Sequence, residues 1–109
     1  MNAIFLDRDG TIIDNQGDLG DPKDVVLLDG AAQALARLTA AGWLLVVCTN
    51  QAGVARGVFT GDDVSAVHQR IDDLLEQEIG KKLIHQYYYC CWHPEGVVLR
   101  WTCECLAIW

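Results

Sequence analysis

Two aspartates separated by one residue, Asp7 and Asp9, directly follow a short apolar run, Ala3 to Leu6. Gly10 comes next and lets the backbone approach a ligand closely. Such a pair of carboxylates can supply a nucleophile and an acid that protonates a leaving oxygen, the two groups that phosphoryl transfer requires. Because carboxylates repel phosphate, the same chemistry needs a cation, and Mg²⁺ is the expected one. The spacing therefore predicts a phosphoryl-transfer site.

Strands and helices alternate around this pair. Their predicted ranges are strands at 3–6, 43–48 and 84–90, a helix at 31–41, and a second helix from an N-cap at Thr60 to a stop at Gly80. Turn-forming residues between 14 and 24 predict a loop over the end of the first strand. The order strand, helix, strand, helix, strand is typical of α/β proteins. We expect a Rossmann-like parallel sheet with flanking helices, whose strand ends meet at a ligand site.

Three short motifs together resemble a known family. They are Phe5-Leu6-Asp7-Arg8-Asp9-Gly10-Thr11, Thr49-Asn50-Gln51 and Ala55-Arg56-Gly57. This pattern resembles the haloacid dehalogenase superfamily, in the branch of the D-glycero-D-manno-heptose 1,7-bisphosphate 7-phosphatases and histidinol-phosphate phosphatases. The resemblance covers residues 3 to 105. It implies a hydrolase, a Mg²⁺-dependent phosphatase that cleaves a sugar phosphate monoester through an aspartyl-phosphate. The spacer from His93 to Cys103 is more like that of the heptose branch.

The resemblance also implies a role for each motif residue. Asp7 would attack phosphorus and contact Mg²⁺, while Asp9 would act as acid and then base, with its backbone carbonyl as a further metal ligand. Thr49 would hold the phosphoryl oxygens. The remaining substrate contacts would come from Asn50, Gln51, Arg56, Asn15 and Asp18, with Arg56 meeting a second anionic group and loop 15–18 closing over the sugar.

A simpler interpretation remains open for these motifs. Asp7 and Asp9 could form a solvated acidic turn, and Thr49 could cap a loop, because such dipeptides are common by chance. A catalytically silent zinc-binding remnant is the alternative from another functional class. Phosphatase activity that depends on Asp7 would distinguish the enzyme from that remnant.

Four of the five cysteines lie near His93 in the last twenty residues. In a reducing compartment this pattern favours metal binding over disulfides. The candidate ligands between 90 and 105 are Cys91, His93, Cys103 and Cys105, a set that suits one structural tetrahedral Zn²⁺, and Cys90 could replace Cys91. Unpaired thiols are the alternative. We expect His68 and His85 to be surface or packing residues, and Cys48 to be a core thiol.

Length and charge limit the class of protein. The chain has 109 residues, enough for one domain spanning 1–109. Its formal net charge of −7 argues against nucleic acid or an anionic membrane as partner, and no apolar run is long enough for a membrane span. The N-terminus lacks the pattern of a signal peptide, so we expect a cytoplasmic protein. Its expected partner is a small molecule.

Two motifs of the resembling family are missing after Cys105. The family continues with a lysine that steadies the phosphoryl group and with a Gly-Asp motif that completes the Mg²⁺ site, whereas this sequence ends at Trp109. Lys81 and Lys82 precede the third strand and cannot be assigned the missing role. We therefore expect a fold that is incomplete at the C-terminus, with weak activity or none and with exposed sheet surface that favours self-association.

Overall fold

Three parallel strands form one sheet in the computed structural model, which describes residues 2–15, 17, 19–51, 53–54 and 56–90. The strands are β1 (Ala3–Leu6), β2 (Leu44–Asn50) and β3 (Ile84–Cys90), and their spatial order is β1-β2-β3. The helices are α1 (Ala31–Ala40) and α2 (Gly61–Ile79), with a short 3₁₀ turn at Pro22–Asp24. This arrangement confirms the predicted parallel α/β sheet.

Strand register brings the three carboxyl ends to one edge of the sheet. Leu6 lies opposite Val47, and Asn50 lies opposite Cys90. The prediction that β2 ends at Cys48 was wrong by two residues. Thr49 and Asn50 continue the strand because they pair with the end of β3, a contact that local sequence does not reveal.

Local capping fixes the ends of α2. The Thr60 hydroxyl accepts a hydrogen bond from the Asp63 amide at 3.2 Å, and the Asp63 carboxylate accepts one from the Thr60 amide at 2.8 Å. Gly80 ends the helix with a φ of 91°, a conformation that favours glycine. Both ends lie where the sequence predicted them. Neither α1 nor α2 has the length and apolar character needed to cross a membrane.

The main core lies between the sheet and the helices. Its buried side chains are Ile12, Ile13, Leu19, Val25, Ala32, Leu35, Leu45, Val47, Val67, Ile71, Leu75, Leu83 and Ile84. A smaller cluster of Val54, Phe59 and Val64 fixes the loop that follows β2.

The two cysteines that the structure describes differ in burial. Cys90 is buried, whereas Cys48, predicted to be a core thiol, is only half-buried. On the first strand Phe5 is 70% exposed, consistent with the expected exposed sheet surface.

Candidate active site

A tight turn after β1 presents the two aspartates. The Arg8 carbonyl accepts hydrogen bonds from the amides of Ile12 at 2.9 Å and Ile13 at 3.2 Å. Gly10 has a φ of 80°, which a residue with a side chain rarely adopts. Asp7 stays exposed, and its Oδ1 atom accepts a hydrogen bond from the Arg8 amide at 2.9 Å. The turn thus leaves the Asp7 carboxylate accessible to a ligand.

Gln51 connects the two predicted motifs. Its Nε2 atom donates to Asp9 Oδ2 at 3.1 Å and to Thr49 Oγ1 at 2.9 Å. Its backbone amide donates to the Cys90 carbonyl at 2.7 Å, which ties it to the end of β3. Thr49 and Gln51 are both buried, with 1% and 4% of their surfaces exposed. The structure therefore brings together Asp9, Thr49 and Gln51, which the sequence analysis assigned to one site.

Arg8, which the sequence analysis gave no role, is fully buried beneath the turn. Its Nε and Nη2 atoms donate to Asp9 Oδ1 at 3.1 and 3.0 Å, and Nη2 is 3.3 Å from Oδ2. Its third nitrogen, Nη1, lies 3.2 Å from Nε2 of His68 on α2. The guanidinium therefore contacts the candidate acid and base at one edge and a helix side chain at the other.

His68 is a packing residue, as expected, but it also has polar partners. Its ring stacks on Tyr87 with centroids 4.3 Å apart and planes 12° from parallel. Burial, with a further contribution from the Arg8 charge, lowers the pKa of His68 to about 3, so the ring is neutral at pH 7. The helical spacing of Val64, Val67, His68 and Ile71 could have placed His68 on the buried face of α2.

A carboxylate and a phenol lie behind His68. The Tyr87 hydroxyl donates to Asp72 Oδ1 at 2.8 Å. Burial raises the pKa of Tyr87, and the neighbouring Asp72 charge raises it further. Burial also raises the pKa of Asp72, against the opposing effect of the Tyr87 hydrogen bond. Tyr87 and Asp72 thus extend the polar contacts of His68, and the sequence analysis assigned neither residue a role. His85, by contrast, is exposed, as expected.

Phe59 packs between the two loops that flank the site. A Cβ atom built on Gly20 would lie 2.8 Å from Phe59 Cβ, and one built on Gly53 would lie 2.5 Å from Phe59 Cε2. Both distances are shorter than any normal carbon contact. Glycine at both positions therefore lets the aromatic ring join the loop after β1 to the loop after β2.

The remaining predicted substrate residues that the structure describes lie at the end of β2 and in the loops that follow β1 and β2. Asn50 is exposed at the end of β2, and Arg56 is half-buried in the loop that follows. Asn15 is exposed, and its Oδ1 atom accepts a hydrogen bond from the Gly17 amide at 3.1 Å. Asp18 lies outside the described residues. Their predicted roles stay predictions.

The donor set near the turn is compatible with part of a Mg²⁺ site. The Asp7 carboxylate is exposed, and within the described ranges no backbone amide donates to the Asp9 carbonyl. Carboxylate and carbonyl oxygens are the hard ligands that Mg²⁺ prefers. The Asp9 side chain is engaged by Arg8 and Gln51. A group of three or more His, Cys, Asp or Glu ligands is absent from the part of the chain that the structure describes.

The predicted zinc ligands fall almost entirely beyond the described residues. Cys91, His93, Cys103 and Cys105 lie outside them. Cys90, the alternative to Cys91, is the last residue of β3 and is buried. The zinc hypothesis stays a prediction.

Comparison with known proteins finds heptose bisphosphate phosphatases among the relatives of this chain. The chain is 38% identical over 106 residues to the D-glycero-D-manno-heptose-1,7-bisphosphate 7-phosphatase of Thermosynechococcus vestitus, covering 92% of this chain and 54% of that protein. The corresponding enzyme of Escherichia coli (strain K12) is also 38% identical, with coverage of 94% and 54%. The chain thus spans about half the length of these relatives. No protein-family model matches it.

Solved structures agree with the sequence comparison. A HAD-like phosphatase from Mesorhizobium loti superposes with a TM-score of 0.82 at 39% identity, covering 89% of this chain and 46% of that one. The D,D-heptose 1,7-bisphosphate phosphatase from B. bronchiseptica, complexed with magnesium and phosphate, gives a TM-score of 0.75 at 35% identity, with coverage of 90% and 52%. In sequence and in fold, the chain is therefore similar to about half of a HAD-like phosphatase, and the curated relatives described above are heptose bisphosphate phosphatases.

Proposed function

We propose that this chain carries the nucleophile and the acid-base group of a Mg²⁺-dependent phosphatase that hydrolyses a sugar phosphate monoester. The observation that carries the proposal is the Gln51 side chain, which joins Asp9 to Thr49, while Asp7, two residues before Asp9, stays exposed. Two motifs separated by some forty residues thus meet at the carboxyl edge of a parallel sheet, where α/β proteins bind ligands.

The proposed reaction has two steps. A carboxylate oxygen of Asp7 attacks phosphorus, the bond from phosphorus to the ester oxygen breaks, and Asp9 gives its proton to the departing alcohol. Water then attacks the aspartyl-phosphate, Asp9 takes the water proton, and the Asp7 carboxylate is released with inorganic phosphate. The contacts of Asp9 with Arg8 and Gln51 hold its carboxyl group in place.

Phosphate binding would use the end of β2. The Thr49 hydroxyl is the predicted donor to the phosphoryl oxygens. Gln51 Nε2 donates to Thr49 Oγ1, so the hydroxyl hydrogen of Thr49 is left for that role. Asp7 and the Asp9 carbonyl would hold Mg²⁺, which neutralises phosphate charge when bound. A solved relative is complexed with magnesium and phosphate, which supports Mg²⁺ as the proposed cation.

The names of the relatives favour one substrate. Both curated relatives described above are heptose bisphosphate phosphatases, which favours D-glycero-D-manno-heptose 1,7-bisphosphate over histidinol phosphate. Cleavage at the 7-phosphate is the corresponding proposal for this chain.

We further propose a cytoplasmic location. We also propose a structural Zn²⁺ held by Cys91 or Cys90 together with His93, Cys103 and Cys105, since such a ligand set suits tetrahedral zinc.

Phosphate release from the two candidate substrates tests the proposal. The purified chain is assayed with heptose bisphosphate and with histidinol phosphate, in Mg²⁺ and in excess EDTA. We expect weak release from heptose bisphosphate that EDTA abolishes and Mg²⁺ restores. Preference for histidinol phosphate would overturn the substrate assignment. Equal rates with and without Mg²⁺ would overturn the metal dependence.

A further inference from the structure

A buried cation with two opposite partners lies directly behind the proposed acid-base group. One edge of the Arg8 guanidinium binds the Asp9 carboxylate at 3.0 and 3.1 Å, and Nη1 meets His68 Nε2 at 3.2 Å. The Arg8 side chain is almost fully buried, whereas 22% of the Asp9 side chain is exposed. Because the guanidinium is planar and rigid, fixing Nη1 also fixes the edge that faces Asp9.

The chemistry of arginine determines the state of His68. A guanidinium carries donors only and keeps its charge in proteins, so His68 Nε2 must accept the hydrogen bond. An accepting Nε2 has no hydrogen, which places the ring proton of a neutral His68 on Nδ1. The burial of the ring and the positive charge of Arg8 both favour this neutral form.

The His68 ring is itself held in place. It stacks on Tyr87 at 4.3 Å, and Tyr87 is fixed in turn by its hydrogen bond to Asp72. These contacts come from α2 and β3, so they connect the turn after β1 to a helix and to another strand. A residue that only filled space would not require an acceptor atom aimed at Arg8.

We propose that His68 is a positioning residue for Asp9, acting through Arg8. Its neutral imidazole accepts from Nη1 and thereby keeps the other edge of the guanidinium on the Asp9 carboxylate. An effect of His68 on the rate of phosphate release rests on the proposed phosphatase function. An effect of His68 on the position of the Asp9 carboxylate does not. The two can therefore be tested separately.

Nuclear magnetic resonance of the full 109-residue chain tests the geometry without any turnover. Gln51 Nε2 donates to Asp9 Oδ2, so its side-chain amide resonances report the position of that carboxylate. We compare His68→Phe, which keeps a ring over Tyr87 but lacks an acceptor, with His68→Gln, which offers an amide oxygen. His85→Gln is the matched control because His85 is an exposed histidine on β3.

The expected pattern distinguishes positioning from simple packing. In the unmodified chain His68 should show an unprotonated Nε2 and a protonated Nδ1. His68→Phe should shift or broaden the Gln51 amide resonances, His68→Gln should return them towards their original positions, and His85→Gln should leave them unchanged. Unmoved Gln51 resonances in a folded His68→Phe variant would overturn the proposal, as would a protonated Nε2. If His68→Phe does not fold, Arg8→Lys replaces it, because an ammonium cannot bind both partners in the same way.

Turnover then gives an independent measurement. If the unmodified chain releases phosphate, His68→Phe should lower kcat about 10- to 100-fold with little change in KM, and His68→Gln should recover most of it. An unchanged kcat would overturn the positioning role and leave the proposed function intact. An inactive unmodified chain with the expected resonance pattern would contradict the proposed function and support the positioning geometry.

Discussion

The ring of Phe59 lies so close to Gly53 that a Cβ atom added there would be 2.5 Å from Phe59 Cε2. Gly20 contacts the same side chain from the other loop, and its Cβ would be 2.8 Å from Phe59 Cβ. The phenylalanine therefore packs against glycines of both loops. Both loops that flank the proposed active site are therefore set by one buried aromatic side chain.

Alanine at either glycine should destabilise the protein. We expect Gly20→Ala and Gly53→Ala each to lower the free energy of unfolding by about 1–3 kcal/mol, the usual cost of overpacking. Gly20→Ala should be the worse of the two, because its neighbour is the Phe59 Cβ atom, which is fixed to the backbone. Urea denaturation measures the change.

Gly61→Ala is the matched control for these two variants. Its added Cβ would lie 3.1 Å from the hydroxyl of Tyr89, a partly exposed group that can move. Alanine also favours the first turn of α2, so we expect no loss of stability there. If Gly20→Ala and Gly53→Ala were as stable as Gly61→Ala, the proposed packing of Phe59 would be wrong.

The buried, neutral His68 should make stability depend on pH. Its pKa is about 3 in the folded protein and 6.5 in the unfolded chain, so the unfolded chain binds more protons between these values. Stability is therefore present above about pH 6.5 and is lost as pH falls towards 3, with about 2 kcal/mol lost between pH 7 and pH 5 from this group. Denaturation at both pH values should show a smaller loss in His68→Gln. An equal loss in the two proteins would contradict the assignment.

Replacing the amide of Gln51 by a carboxylate should disrupt the junction between the motifs. Gln51→Glu keeps the size of the side chain but places a second carboxylate beside Asp9 and removes the donor to Thr49 Oγ1. We expect the free energy of unfolding to fall by about 1–3 kcal/mol at pH 7. Gln86→Glu, at an exposed position of β3, is the control and should be neutral. Similar stability of the two variants would contradict the proposed role of Gln51.

Elemental analysis of chain purified without chelators tests the zinc proposal. We expect about one zinc per chain, lost in Cys103→Ser and in Cys105→Ser because each removes one ligand of a tetrahedral site. Cys48→Ser should retain the metal, since Cys48 lies in β2. Comparison of Cys90→Ser with Cys91→Ser identifies the first ligand. Absence of zinc from chain purified in this way would contradict the proposal.

Capping residues and the local pattern of apolar residues predicted most of the fold. Contacts between distant segments of the chain were not predicted. The bounds of α2 followed from Thr60 and Gly80, which act within one turn of the helix. The predicted end of β2 was wrong because the strand reaches Asn50 only through its pairing with β3. Likewise, the motif around Asp9 was visible, but the contact of Arg8 with His68 joins residues sixty positions apart.

The central claim is that Asp7 is the nucleophile, and its amide variant tests this most directly. Phosphate release from heptose bisphosphate in Mg²⁺ is measured for the unmodified chain, for Asp7→Asn and for Asp29→Asn, an exposed aspartate just before α1. The proposed mechanism predicts turnover in the unmodified chain and in Asp29→Asn, and none above background in Asp7→Asn, because an amide cannot attack phosphorus as a carboxylate does. Equal turnover in Asp7→Asn and the unmodified chain would contradict the mechanism, and no turnover in any of the three would contradict activity of this chain.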